Sequence, residues 1–168
     1  MALLRAQDRL QPALLDRLTD DQPESTVESV DARLIRDQRL RDLVLRDLSW
    51  LFNASAPGDD IDWSVVPQAR RSVLNFGLPA LSGLSTSGLD LPALQARVHQ
   101  AILDHEPRIL PASLTVEVVV SNNQIDHHNM VGFRISGQLW AQPVPLELLL
   151  HTDIDLETGR VAVRELDR

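Results

Sequence analysis

The sequence predicts an α+β domain in which N-terminal helices pack on a small C-terminal antiparallel β-meander. Two observations carry that expectation. Before Pro107 the apolar residues recur at helical spacing, as in Leu40, Leu43, Val44, Leu48, Leu51 and Phe52. After Pro107 the pattern changes to short β-rich runs bounded by turn residues. Helices come first and strands last.

Taken in order, a short helix is expected at Gln7 to Leu18, followed by the acidic, proline-containing segment TDDQPESTVES from Thr19 to Ser29. That segment has too little apolar area to bury, so residues 1–28 are expected to be a mobile N-terminal extension and residues 29–168 the folded domain. The first long helix should run from Asp31 to Phe52 with the stripe named above facing inward. On its solvated face, Asp37 with Arg41 and Asp42 with Arg46 have the spacing of i,i+4 ion pairs. Asn53 to Asp62 reads as a turn-rich loop, and Val66 to Asn75 as a short helix ending near Gly77 and Pro79. After a Ser/Gly loop, Ser82 to Gly88, Asp90 is placed to cap a helix that runs to about His105. Pro92 fits its first turn, and Leu91, Leu94, Val98 and Ile102 form its buried stripe. Strands are expected at Leu114 to Ser121, Val131 to Trp140, Leu146 to His151 and Val161 to Val163. Four such strands are too few to close a barrel, so two edges must be covered, charged or used, with Asp153, Pro143 and Pro145 guarding one.

Composition excludes several classes of function. A 43% hydrophobic and 24% charged content over 168 residues suits one globular domain and neither a disordered nor a fibrous chain. No stretch approaches the about 18 uninterrupted apolar residues of a membrane span, and Met1 to Gln11 carries charges. Cytoplasmic residence without direct membrane insertion is the expectation. The chain has no cysteine, hence no disulfide framework, thiolate metal site or cysteine nucleophile. A net charge of −8 repels a phosphate backbone, so nucleic acid is not an expected partner. Every basic residue is Arg, which removes Schiff-base chemistry and the phosphate-binding Lys of a P-loop. The serines of LSGLSTSG lack the nucleophile-elbow pattern, and no Gly-rich phosphate fingerprint occurs. No cofactor and no small-molecule substrate are indicated.

Glu106 stands out because it lies four residues after Ile102 and eight after Val98, on the continuation of a buried stripe. A carboxylate buried there needs a partner, and Arg108 is the nearest in sequence. Pro107 between them forces Glu106 toward extended geometry and stiffens the corner. An exposed helix end is the plain alternative. His127 and His128, beside Asp126 in NNQIDHHN, suggest a metal site, but adjacent strand residues face opposite ways and a solvated hairpin loop explains them better. His99 and His105 are about 240° apart on an ideal helix and share no face. Asp153, Asp155 and Glu157 imitate the start of a calcium loop, yet Thr158 and Arg164 occupy the positions that need Gly and Glu. A turn through Glu157, Thr158 and Gly159 accounts for the same residues. The residues therefore name no metal site and no catalytic group, apart from a muramidase-like glycoside hydrolase that would use Glu106 as general acid.

Three segments, DLSWLFNAS at Asp47 to Ser55, RRSVLNFGLP at Arg70 to Pro79 and HEPRI at His105 to Ile109, together resemble one family. It is the TssE family of type VI secretion baseplate subunits and related baseplate wedge proteins of contractile phages, often labelled lysozyme-like. FRISGQL and DIDLETGRV resemble its hairpin strands. The resemblance implies a non-enzymatic subunit that touches the wedge core and offers strands on which the first contractile sheath ring docks, helping sheath assembly begin. It implies other wedge subunits and sheath proteins as partners, with Glu106, Pro107 and Arg108 as the partner-binding residues.

Removing residues 1–26 is expected to leave the thermal midpoint within about 5 °C, on the order of 1 kcal/mol for a domain of this size. A larger drop in a circular dichroism melt would mean that the extension packs.

Overall fold

Alternate apolar residues in the C-terminal third build a four-stranded antiparallel sheet in the order β1-β2-β3-β4. Its strands are β1 (Thr115–Val119), β2 (Met130–Leu139), β3 (Leu146–Asp155) and β4 (Val161–Glu165). The computed structural model describes residues 14–19, 24, 37–57, 61–83, 88–119, 129–141 and 144–166. Residues 31–36, into which the first long helix was expected to extend, and Asp126, His127, His128 and Pro143 lie outside them.

Register places Val116 beside Ile135 and Ile135 beside Leu150, while Val118, Phe133, Thr152 and Val163 form the next row. Phe133, Ile135, Leu148, Leu150 and Ile154 are buried on this face. Thr152 is buried among them, and its hydroxyl donates to the Phe133 carbonyl at 3.4 Å. The opposite face carries Glu117, Arg134, His151 and Arg164 in one cross-strand row.

Two helices cover the apolar face. Helix α2 (Asp37–Asn53) buries Leu40, Leu43, Val44, Leu48, Leu51 and Phe52, the full stripe read from the sequence. Helix α4 (Leu91–His105) buries Leu94, Val98 and Ile102, and the Asp90 carboxylate caps it by accepting from the Ala93 N–H at 2.9 Å. Each such side chain contributes about 1.5–3 kcal/mol when fully buried, so the layer contact dominates the fold.

Four local expectations are corrected. Val66 to Asn75 is not one helix: α3 (Pro67–Arg70) stops, and a separate 3-10 turn spans Val73–Asn75. Ser72 causes the break, because its extended backbone lets the hydroxyl accept from the Leu74 N–H at 3.2 Å. Strand β3 continues four residues past His151, since Thr152, Ile154 and Leu156 keep the buried alternation while the intervening Asp153 and Asp155 face out. Strand β4 runs to Glu165 instead of Val163. The helical pair Asp42 with Arg46 gives way to other partners: Asp42 accepts from Gln38 at 3.3 Å, and Arg46 turns to Asp47 and Asp16. Asp16 lies on a five-residue helix, α1 (Leu14–Leu18), within the stretch read as an extension.

The β3–β4 turn is built by Asp155. Its carboxylate accepts from the Thr158 hydroxyl at 2.7 Å and from the amides of Glu157 and Thr158, which holds it below the usual carboxylate value. Gly159 follows at φ +73°. On the sheet's outer edge, hydrogen bonds from Leu166 N–H to Leu149 and from Asp155 N–H to Arg160 fix the paired positions. By alternation, the backbone groups of Val161, Val163 and Glu165 point away from β3. Those of Val161 are taken by the Asn53 side chain, whose amide donates to the Val161 carbonyl at 2.9 Å and accepts from its N–H at 3.0 Å.

A backbone clip closes the loop after α2. Ser55 and Leu78 form a parallel bridge, with Ala56 N–H to Leu78 O at 2.8 Å and Leu78 N–H to Ala54 O at 2.9 Å. The approach is possible because Gly77 sits at φ +121°, where a Cβ would meet the Ala54 carbonyl oxygen at 2.3 Å. Gly77→Ala is therefore expected to cost on the order of 3 kcal/mol, from left-handed strain plus the backbone collision. Urea titration measures it, and a loss below about 1 kcal/mol would show that the clip is dispensable.

Candidate functional site

Where α4 ends, Ile102 still receives the Glu106 N–H at 2.8 Å, so the last helical bond aims Glu106 inward. Its backbone then leaves the helix at φ −121°, the extended turn that a following proline demands. Arg108 is thereby thrown back over the carboxylate. Its Nε donates to Glu106 Oε1 at 2.7 Å, its Nη2 to Oε2 at 2.5 Å, and its backbone N–H to Oε1 at 3.1 Å. The Glu106 side chain is 3% exposed and that of Arg108 23%. The alternative of an exposed helix end does not apply.

The corner is also tied at both flanks. Arg108 Nη2 reaches Asp47 of α2 at 2.6 Å, which links the end of one helix to the middle of the other. The Arg108 carbonyl accepts from Trp140 N–H at 2.7 Å, and Leu110 N–H donates to Gln138 O at 2.8 Å, so the segment runs as a short extra strand beside the end of β2. Burial of the guanidinium works against its charge, but hydrogen bonding and attraction from Glu106, then from Asp47, outweigh it and hold Arg108 above the ordinary arginine value.

The charges continue outward as a ladder of alternating sign. Asp47 accepts from Arg46 Nε at 2.8 Å, Arg46 Nη1 donates to Asp16 of α1 at 2.6 Å, and the Arg46 guanidinium lies 4.8 Å above the Trp50 ring. Burial opposes the charge of Arg46 as well, and the bonds from Asp16 and Asp47 raise it overall. Sequence reasoning singled out Glu106, Pro107 and Arg108 but missed Asp47, Arg46 and Asp16. Asp47 carried a legible signal, since it sits three residues after Val44 and four before Leu51, at the margin of the buried stripe.

The other candidates do not converge on this corner. His105 packs edge-on against Phe76 with ring centroids 5.3 Å apart. Asp153 bonds His151 Nε2 at 3.0 Å and lies 3.5 Å from Arg164 on the outer sheet face. Among the described residues no group of three or more His, Cys, Asp or Glu side chains could hold a metal ion, and no helix is long and apolar enough to cross a membrane.

Two helices are joined by a buried, proline-stiffened ion pair, and the backbone of the same corner is bonded to the antiparallel meander at the end of β2. The profile of the family described as Baseplate wedge protein gp25 matches residues 38–144, from the start of α2 to just short of β3, and the chain belongs to that family. No curated protein and no solved structure gave a match.

Removing Arg108 strands a carboxylate in the interior, so Arg108→Met is expected to cost about 3–5 kcal/mol. Glu106→Leu combined with Arg108→Met should recover most of that loss, because no unpaired charge remains. Denaturant titrations of the single and double variants check it. A neutral Arg108→Met would mean that the pair contributes nothing to the fold.

Proposed function

We propose that this chain is a structural subunit of the baseplate wedge of a type VI secretion machine, resident in the cytoplasm, that joins the wedge core to the contractile sheath and helps sheath assembly begin. It performs no reaction. Family membership supports the wedge role, and the three segments at Asp47 to Ser55, Arg70 to Pro79 and His105 to Ile109 support the secretion-system assignment. The carrying observation is the Glu106 corner, a rigid feature with both carboxylate oxygens engaged by Arg108.

In this reading the three residues divide the work. Pro107 is exposed and Arg108 partly so, and these two meet the wedge partner. Glu106 fixes the pose of Arg108 from beneath. The general-acid alternative loses support at the same atom, because a group 3% exposed and covered by a guanidinium offers no face to a glycosidic oxygen. Sheath subunits join through the sheet edge by strand addition, a mode in which main-chain hydrogen bonds extend a sheet across a boundary. Val163 and Glu165 of β4 present the outward backbone groups for it.

Affinity capture from extracts containing the remaining baseplate and sheath subunits, with partners identified by mass, tests the proposal. Wild-type chain is expected to retain wedge subunits, and Pro107→Asp to lose most of them while its melting temperature stays within about 5 °C of wild type. Purified chain should release no product from peptidoglycan. Capture of no baseplate subunit would sink the proposal, and hydrolysis that vanishes in Glu106→Gln would install the hydrolase in its place.

A further inference from the structure

Between Trp63 and Pro79 the chain turns four large apolar side chains outward. Val65 is 76% exposed, Val66 47%, Val73 81% and Leu74 69%. Neither α3 nor the 3-10 turn after it contributes a residue to the core. We infer that these side chains, with Arg70, extend the wedge contact of Pro107 and Arg108 and take an aliphatic face of the same wedge subunit, an assignment that rests on the wedge reading above.

Three observations carry this. First, the face is built by hydrogen bonds where no core packing holds it. The Ser72 hydroxyl donates to the Ala69 carbonyl at 2.8 Å, and the Asn75 amide donates to the Arg70 carbonyl at 2.9 Å. Order without burial leaves apolar area for a partner to remove from water.

Second, the face adjoins the corner. Arg71 Nε donates at 2.8 Å to Asp104, which is 8% exposed, and Phe76 packs on His105. Val73 and Leu74 lie between these two tethers, and Asp104 is three residues from Pro107, at most about 11 Å of chain. A stable interface buries about 800 Å² on each partner, which Pro107 and Arg108 alone fall short of. The outward side chains supply apolar area at the same end of α4.

Third, charge selects the partner. From Trp63 to Pro79 the only charged residues are Arg70 and Arg71, in a chain of net charge −8. Asp104 neutralises Arg71, whereas Arg70 is exposed. Such a face accepts an aliphatic surface with a neutral or acidic border and repels a basic one.

Capture of baseplate subunits by the full chain, read beside melts and sedimentation, tests the extension. Val73→Asp and Leu74→Asp are each expected to lower apparent affinity for the wedge subunit by about tenfold or more. Their melting temperatures should stay within about 5 °C of wild type, and Leu74→Met should keep both properties. Arg70→Glu should weaken capture by about threefold, and Arg70→Lys should preserve it. Unchanged capture in both aspartate variants, with Pro107→Asp defective, overturns the extension and leaves the wedge reading standing. A larger drop in melting temperature would show that Leu74 packs within the free chain, and a wild-type dimer that Leu74→Asp dissociates would show that a second copy covers the face; either result overturns the extension. Equal or stronger capture by Arg70→Glu overturns the charge assignment. A wild-type chain that captures no baseplate subunit sinks the wedge reading and the extension together.

Discussion

The fork of Arg108 on Glu106 and Asp47 is the constraint to which the remaining structure answers. Burial of a carboxylate at the end of an amphipathic helix is tolerable only with a full set of donors. The donor set here comes from two residues downstream, which a proline makes possible by turning the chain sharply. The same guanidinium then grips α2. One residue thus joins the end of α4 to α2 through its side chain, while its backbone carbonyl accepts from Trp140 N–H just past the end of β2.

How much of this was legible depended on whether the signal was periodic or positional. The two helical stripes, the cap at Asp90 and the antiparallel meander follow from apolar spacing alone, and the structure agrees with each. Glu106 was visible because a charge continued an apolar stripe. Its partner Arg108 was visible by adjacency, whereas Asp47, 61 residues away, could be recognised only as an acid at a stripe margin. Propensity misled where hydrogen-bonding side chains compete with the backbone. Ser72 broke a helix that composition favoured, and Asp153 and Asp155 disguised the last turns of a strand whose inward residues kept their alternation.

On the surface of α2, Arg46 was legible as a charge but not in its pairing. Local rules favour i,i+4 partners, worth only a few tenths of a kcal/mol. Tertiary partners outbid such a pair easily: Arg46, spaced for Asp42, spans instead to Asp16 on α1. An all-arginine complement suits this use, since a planar guanidinium can serve two carboxylates at once, as Arg46 and Arg108 both do.

The side chain of Asn53 gives the sheet a property of its own. By meeting both outward backbone groups of Val161, a helix-terminal amide stands where the next strand's first residue would lie. An edge strand left open along its whole length invites copies of the same chain to stack side by side into fibres. With one end stoppered, the ladder that another strand could form on β4 is shortened to the stretch beyond Val161. Any strand added to β4 must therefore start beyond Val161, at the outward backbone groups of Val163 and Glu165.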